Sequence, residues 1–489
     1  MRLRLLLILS VCLPTVALAD VRLPHIISDH MVLQAGQTIP VWGWADPGER
    51  VTVHFEKQTK RVRTDATGHW RVDLAPLTVA PGDDQVPKQM TVKGAKNTLN
   101  VNDILIGEVW LASGQSNMEK PLGEQRGQKP TLNADAEIAA ATWPGLRLFK
   151  VAHARADTPA EDVAGSWVVC DPSTIDKIKF SAVGYFFGRK LLTTLKTPVG
   201  MIDSTWGGTR IELWTPRSGF AAVPTLKNFA DAPVGAKVEG TALSTLYNGQ
   251  IKPLVPFAIK GVIWYQGESN TIDVNDGDRY LDKMTALITG WRKEWQRDFP
   301  IYYVQVAPFL YHLKYPGTIV SSESGARLWE AQTAALKLPQ TGIVVTTDLA
   351  DDLLDIHPRN KKAVGERLAN WALAKDYAQT GITVSGPIFR TMAVAAGVAN
   401  LSFDYADGLV ARDGKPLNWF TIAGADDQFY PAKAIIEGDH ILVNSPQVPE
   451  PVAVRFGWDE AAQPNLINGA GLPAVPFRTD NPLIAKASQ

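Results

Sequence analysis

The chain has 489 residues, with 49 Lys and Arg against 50 Asp and Glu, so its formal net charge is −1. Hydrophobic residues make up 45% and charged residues 20%, which is enough apolar surface to offset the entropy of folding and excludes a disordered protein. At roughly 150 residues per domain, the length allows about three domains. A nearly neutral chain without long runs of like charge gives no electrostatic reason to bind nucleic acid.

The first 19 residues have the pattern of a secretory signal peptide. Arg2 and Arg4 precede an apolar stretch over 5–18, and Ala17-Leu18-Ala19 has the small-residue form of a cleavage site. We therefore expect cleavage before Asp20 and an exported protein, periplasmic or secreted. The stretch is too short to span a bilayer comfortably, and no later one approaches about 20 residues, so no membrane anchor is expected.

Cleavage would remove Cys12 and leave Cys170 as the only cysteine. One thiol cannot form an internal disulfide, so the stability of the exported chain has to come from its hydrophobic core.

Residues 20–102 predict a small β-sandwich-like domain. The runs 40–44, 50–55 and 69–74 alternate apolar and polar residues, and glycine-bearing turns separate them. This alternation is typical of antiparallel strands with one buried face.

Residues 103–384 predict an α/β domain. Short apolar runs alternate with segments of helical periodicity, which favours a mostly parallel sheet covered by helices on both faces. The expected strands are 104–111, 199–202, 259–265, 301–306 and 343–346, and the expected helices are 180–195, 280–295, 327–336 and 359–377. Residues 385–489 return to strand-like runs and predict a C-terminal β-rich domain.

Polar, glycine-bearing segments follow four of the central strands, where ligands bind in such sheets. The first contains Ser116, and Gly114 before it permits a tight turn that exposes the hydroxyl. Backbone N–H groups after the serine could face a developing oxyanion. Because Asn117 is followed by Met118 and not by glycine, the segment lacks the G-x-S-x-G elbow of α/β-hydrolases.

The imidazole candidate is His357. Of the eight histidines, it alone follows an aspartate, Asp355, by two residues in a loop after a predicted parallel strand. Asp355 could fix the ring tautomer while the other ring nitrogen takes a proton from a hydroxyl. Activity should then be lost as the imidazole protonates, at a pH of about 6. The alternative, that Asp355 only caps a turn before the helix near Arg359, stays open.

Other strand-end residues are weaker candidates. Gly207 and Gly208 let backbone N–H groups approach a ligand and Gln266 offers a side-chain amide, although each also suits a plain turn. Trp206 and Trp214 bracket the glycines and are candidates for stacking on a sugar. Asp203 and Glu268 lack the His or Cys clusters of metal sites, so no metal and no cofactor are expected.

Taken together, the motifs resemble a known family. Ser113-Gly114-Gln115-Ser116-Asn117-Met118, Trp206-Gly207-Gly208-Thr209, Gln266-Gly267-Glu268-Ser269-Asn270 and Asp355-Ile356-His357-Pro358 stand in one order along the chain. In that order they resemble the sialate O-acetylesterase family of carbohydrate esterases in the SGNH hydrolase superfamily. The resemblance implies a three-layer α/β/α hydrolase domain flanked by β domains.

The resemblance also implies roles for individual residues. Ser116 would be the nucleophile, His357 the base and Asp355 its partner. The oxyanion hole would comprise the Ser116 N–H, an N–H of Gly207 or Gly208, and Gln266, where many superfamily members carry asparagine. Trp206, Glu268 and Asn270 would be substrate-binding candidates, and Arg210 has two interpretations, as a ligand of a substrate carboxylate or as the partner of Glu212.

The expected function is removal of O-acetyl groups from a carbohydrate through an acetyl-enzyme. One alternative substrate is a neutral plant or bacterial polysaccharide such as xyloglucan or xylan. A hypothesis of another class is a noncatalytic carbohydrate-binding protein.

Overall fold

The computed structural model describes residues 20–79 and 86–485. The predicted signal peptide and Cys12 lie outside the described residues. Within the described part of the chain, no helix is both long enough and apolar enough to cross a membrane.

The N-terminal part is built mostly from antiparallel strand pairs whose alternate side chains point inward, and its first strand, Val32–Gln34, pairs parallel with Leu105–Gly107. Its strands are β1 (Val32–Gln34), β2 (Ile39–Trp44), β3 (Arg50–Phe55), β4 (Gln58–Arg63), β5 (His69–Leu74), β6 (Lys88–Lys93) and β7 (Thr98–Gly114). β2 pairs with β5, and β3 lies between β4 and β6. Val53 and Phe55 of β3 share one hydrophobic core with Trp70 and Val72 of β5, as the alternation in the sequence predicts.

The strand β7 links this part to the central sheet. Its first half pairs antiparallel with β6, from Thr98 to Ile104, and its second half joins the parallel sheet that follows. The predicted boundary between residues 102 and 103 therefore falls inside a continuous strand, and the division into domains stays a prediction.

The central part alternates strands and helices. Its elements are α1 (Ser116–Glu119), α2 (Ala134–Ala139), β8 (Trp143–Lys150), β9 (Trp167–Cys170), α3 (Pro172–Lys177), α4 (Ala182–Leu195), β10 (Val199–Thr205), α5 (Arg217–Phe220), α6 (Lys227–Asp231), β11 (Lys237–Val238), β12 (Thr241–Ala242), β13 (Gly261–Tyr265), α7 (Glu268–Val274), α8 (Tyr280–Trp295), β14 (Ile301–Val304), α9 (Tyr311–Lys314), α10 (Ser324–Ala334), β15 (Thr341–Val344) and α11 (Lys361–Lys375).

The central sheet has the strand order β15-β14-β13-β7-β10-β8-β9. Its pairs are parallel except β8 with β9, which is antiparallel. Along β13, Val262 and Trp264 pack into the core that contains α8 and α10, whereas Ile263 and Tyr265 pack into the core that contains α4 and α11. Helices therefore cover both faces, and the predicted α/β fold is confirmed.

The C-terminal part is β-rich, as predicted. Its elements are β16 (Ile388–Ala395), β17 (Val398–Asp404), β18 (Val410–Ala411), β19 (Phe420–Ala423), β20 (Phe429–Pro431), β21 (Lys433–Glu437), β22 (His440–Asn444), β23 (Ala453–Phe456), β24 (Leu466–Ile467), β25 (Phe477–Arg478) and α12 (Pro482–Ala485). The sheets β16-β17-β22-β21 and β20-β19-β23-β25 share one hydrophobic core. Arg478 joins this part to α10 by two hydrogen bonds to the Glu330 carboxylate, at 2.9 and 2.8 Å.

Candidate active site

Ser116 lies at the first turn of α1, directly beyond the carboxyl end of β7. Gly114 has a φ of +135°, and a Cβ on it would lie 2.1 Å from the Tyr265 carbonyl oxygen, so no larger residue fits there. This tight turn places the serine at the edge of the sheet, as the sequence predicts.

His357 reaches the serine from the loop that follows β15. Its Nε2 lies 2.9 Å from Ser116 Oγ, which is hydrogen-bond distance for a hydroxyl that donates to a neutral imidazole. The Asp355 carboxylate accepts the His357 backbone N–H at 3.0 Å, and its Oδ1 lies 3.6 Å from Nδ1, longer than a hydrogen bond. Asp355 thus caps the turn and also lies near the imidazole. The structure therefore leaves both predicted roles open, the turn cap and the partner of His357.

The surroundings of His357 favour the neutral imidazole. Burial lowers the pKa of His357 to about 4, and the nearby Lys361 and Lys120 lower it as well, whereas Asp355 acts to raise it. A neutral imidazole can accept the serine proton well below pH 6.

The loop of Gly207 and Gly208 lies against Ser116, the predicted nucleophile. A Cβ on Gly207 would lie 3.2 Å from the Ser116 Cβ. The Gly207 N–H donates to Glu119 Oε2 at 2.7 Å, whereas Gly208 is exposed with a φ of +69°. The predicted choice between the two glycines as oxyanion donors therefore stays open, with the Gly207 N–H already engaged.

Glu119 and His153 are neighbours of the site that the sequence motifs do not single out. His153 Nε2 lies 2.9 Å from Glu119 Oε1, and the His153 ring stacks on Trp206 at 4.2 Å with an interplanar angle of 6°. The Arg155 guanidinium lies 4.8 Å from the Trp206 ring centre. Trp206 is partly exposed, whereas Trp214 is buried and donates to Thr209 Oγ1 at 3.0 Å, so Trp214 packs in the core.

Gln266 is fully buried, and its amide already has partners. The two hydrogens of its Nε2 are shared among three acceptors, Gln115 Oε1 at 3.0 Å, the Thr209 carbonyl at 3.1 Å and Asn270 Oδ1 at 2.7 Å. Its Oε1 accepts from Tyr280 at 2.6 Å. The oxyanion role of Gln266 stays a prediction that requires one of these bonds to be exchanged for the substrate.

The other predicted substrate residues lie inside the protein. Arg210 is 5% exposed and forms an ion pair with Glu212, whose other oxygen accepts from Asn270 at 3.0 Å. Burial raises the pKa of Glu212, but Lys283 and Arg210 outweigh it and bring that pKa to about 2. Of the two interpretations of Arg210, the structure supplies contacts for the pairing with Glu212.

Glu268 is also buried, at 1% exposure. Its carboxylate accepts a hydrogen bond from Asn117, the residue after Ser116. Glu268 and Asn270 therefore contact protein partners, and their binding of substrate stays a prediction.

An open groove of about 800 Å³ adjoins His357. Phe309, Tyr315 and Leu354 give it apolar surface. Its charged side chains are Lys129, Lys314, Asp352 and Asp355, and Lys129 pairs with Asp352 at 3.0 Å. These residues are far apart in the sequence, and no motif pointed to them.

The described residues contain no group of three or more His, Cys, Asp or Glu side chains that could hold a metal ion. Cys170 is buried, and burial raises the pKa of its thiol to about 12.

A serine and a histidine at the carboxyl edge of an α/β sheet define the class of serine hydrolases. Residues 106–374 match the sequence model of a family described as carbohydrate esterase, sialic acid-specific acetylesterase. The chain belongs to this family, and the resemblance seen in the sequence is confirmed. It is therefore a carboxylic ester hydrolase that removes O-acetyl groups from carbohydrate.

Individual relatives agree with this assignment. The chain is 32% identical over 444 residues to the sialate O-acetylesterase of Homo sapiens, covering 84% of this chain and 83% of that protein. It is 30% identical to the sialate O-acetylesterase of Mus musculus, covering 93% and 94%. A solved structure of a carbohydrate acetylesterase from Xanthomonas citri superposes with a TM-score of 0.83 at 38% identity, covering 94% of this chain and 100% of that one.

Proposed function

We propose that this chain is a serine esterase that removes O-acetyl groups from sialic acids, with Ser116 as nucleophile and His357 as general base. The observation that supports it most is the 2.9 Å between Ser116 Oγ and His357 Nε2. The imidazole at that distance can take the hydroxyl proton as the oxygen attacks.

The reaction runs in two halves. Ser116 Oγ forms a bond to the acetyl carbonyl carbon while His357 Nε2 takes the hydroxyl proton. The C–O bond to the sugar then breaks, and His357 returns the proton to the departing sugar oxygen, which leaves an acetyl-enzyme. Water repeats the sequence with the same base, releasing acetate and the free serine.

The oxyanion of each tetrahedral intermediate needs preorganised donors. The Ser116 N–H and an N–H of the loop at Gly207 and Gly208 supply them, and Gln266 is a third donor. Asp355 orients the imidazole and, through its negative charge, stabilises the imidazolium that forms transiently.

A sialic acid as substrate is favoured by the curated relatives, which are named for sialate. A neutral acetylated polysaccharide is the second candidate, because the Arg210 guanidinium is committed to Glu212 and is not free for a substrate carboxylate. Acetate release from 9-O-acetyl sialic acid, acetylated xyloglucan and acetylated xylan separates the two. A rate on xylan or xyloglucan above that on the sialic acid would overturn the first candidate.

Export is part of the same proposal, supported by the signal-peptide pattern of residues 1–19. N-terminal sequencing of protein recovered outside the cytoplasm should begin at Asp20. Recovery of the full-length chain from the cytoplasm alone would overturn this part.

The decisive test of the mechanism is Ser116→Ala. By analogy with other serine hydrolases, kcat on p-nitrophenyl acetate should fall by roughly six orders of magnitude while the fold is unchanged. Full activity in the variant would refute Ser116 as nucleophile. Sugar binding without acetate release by the unmutated protein would favour the noncatalytic hypothesis.

A further inference from the structure

A buried network that the proposed mechanism does not use connects the two halves of the active site. Asn117 follows the nucleophile directly, and Ile356 precedes the base directly. The Asn117 side-chain Nδ2 donates to the Ile356 carbonyl at 2.9 Å. One amide therefore ties the segment that carries Ser116 to the loop that carries His357.

The amide is itself held in place from two sides. Its Oδ1 accepts from Lys361 Nζ at 2.6 Å, and its Nδ2 also donates to the Glu268 carboxylate. Asn117 and Lys361 have no exposed surface, and Glu268 is 1% exposed. An amide with a donor on one side and an acceptor on the other has one orientation available, so the Ile356 carbonyl is held in a fixed position.

Lys361 is linked to the base through Asn117, which accepts from its Nζ and donates to the carbonyl of the residue before His357. It begins α11, four residues after His357, and its Nζ lies 5.3 Å from the centre of the Tyr265 ring. In the described residues, no carboxylate lies within ion-pair distance of this ammonium group. Burial lowers its pKa to about 7, Lys120 lowers it too, and Glu268, Asp355 and Asp351 act to raise it.

We propose that Asn117 and Lys361 are positioning residues of the esterase: Asn117 sets the distance between His357 and Ser116, and the Lys361 ammonium keeps the imidazole in its neutral, proton-accepting form under acid conditions. This inference rests on the proposed mechanism, because it assigns the two residues to the base used there. Positive charge beside an imidazole disfavours the imidazolium, so the base works at a lower pH than an isolated histidine.

The other charged groups around His357 have known positions. Asp355, on the same loop, is the carboxylate that opposes the cations, and Lys120, after α1, is the second cation that acts on the imidazole. Lys120 is 1% exposed and donates to the Lys129 carbonyl and to Gln128 Oε1. Burial lowers its pKa to about 8, so both lysines gain positive charge as the pH falls, in the range where His357 has to stay neutral.

The charge is tested with Lys361→Met, which keeps the length of the side chain and removes the ammonium. The acid midpoint of kcat/KM for acetate release from p-nitrophenyl acetate, a neutral substrate, should rise by about one pH unit. Lys361→Arg should keep the midpoint of the unmutated enzyme. Lys362→Met is the matched control, because Lys362 is half exposed and pairs with Glu137 at 3.4 Å. An unchanged midpoint in Lys361→Met would overturn the electrostatic part.

The tether is tested with Asn117→Ala. We expect kcat to fall at least tenfold with KM for p-nitrophenyl acetate nearly unchanged, because the base loses its position and the substrate loses no contact. A kcat equal to that of the unmutated enzyme, with circular dichroism showing a folded protein, would overturn the tether.

A measurement on the chain without a Lys361 substitution keeps the proposal testable if these variants do not fold. In Ser116→Ala, which has no activity to lose, the His357 ring can be titrated by NMR. A midpoint near 6.5, the ordinary value for histidine, overturns the electrostatic part, and a midpoint well below it is the expected result, to which burial and the lysines both contribute. Failure of the mechanism is distinguishable, because it would appear as retained activity in Ser116→Ala whatever the titration shows.

Discussion

Two buried lysines lie near the site, and their surroundings differ. Lys283 contacts Glu212 at 2.7 Å, Asp276 at 2.7 Å and Glu239 at 3.5 Å, so its charge is balanced within the core. Lys361 donates to an amide, with Glu268 beyond it. The two lysines therefore have different roles. Lys283, whose charge is balanced, stabilises the core beneath Gln266, whereas Lys361, in the proposal above, disfavours the charged form of His357.

The largest effect on stability is expected at Lys283. Lys283→Met leaves Asp276 buried without its cation and Glu212 with Arg210 alone, which should cost about 3–5 kcal/mol of unfolding free energy. Urea unfolding followed by circular dichroism measures it. Lys293→Met, an exposed position on the same helix, should change the free energy by less than about 0.5 kcal/mol. Equal effects of the two substitutions would refute the view of Lys283 as a balanced core charge.

Gln266→Ala tests whether the buried Gln266 amide takes part in the reaction or only supports the fold. If the amide exchanges a protein partner for the oxyanion, kcat should fall by about 10²–10³, or 2.7–4 kcal/mol. If Gln266 only supports the fold, urea unfolding should change while kcat stays within a few-fold. Measuring both on the same preparation separates the two roles.

The acid limb of the unmutated enzyme is the third expectation. The proposed mechanism uses the neutral form of His357, whose pKa burial lowers to about 4. Activity should therefore be retained from pH 7 to 5 and fall as the pH drops through about 4. The sequence alone predicts a fall near pH 6, the ordinary range of histidine. A midpoint near 6 with the protein still folded would argue that neither burial nor the lysines lower the pKa of His357.

The smallest effect is expected at Glu119, which holds the Gly207 N–H at 2.7 Å. Glu119→Ala removes this charge-assisted bond from the loop beside the nucleophile, and kcat should fall by about tenfold. Glu124→Ala is the control, since Glu124 is exposed. A rise in kcat would instead indicate that Glu119 competes with the oxyanion for the Gly207 donor.

The sequence predicted the elements whose patterns are strong. The alternation in 50–55 and 69–74 coincides with β3 and β5, and the apolar stripe of 280–295 coincides with α8. The strand β8 was missed because Pro144 and Gly145 interrupt its apolar run. The strand β9 was missed too; it has only four residues.

The sequence could predict the part of the site whose position follows from the topology of the sheet. Adjacent parallel strands end at one edge of a sheet, so motifs after them converge there, and the 2.9 Å between Ser116 and His357 fits that expectation. The direction of a side chain could not be predicted in this way. Arg210 and Lys361 follow motif residues in the sequence, yet both are buried. Tertiary packing decides this, and no spacing in the sequence records it.

The continuity of β7 has a consequence for how the molecule unfolds. Residues Thr98–Ile104 pair with β6, and the same strand ends at Gly114 beside the nucleophile. Truncation at residue 103 would expose the start of β7, the middle strand of the central sheet, and remove the residues of β7 that pair with β6. The N-terminal part and the catalytic sheet should therefore melt in one cooperative transition, and a protease that cuts within β7 should abolish activity at the rate at which it cuts.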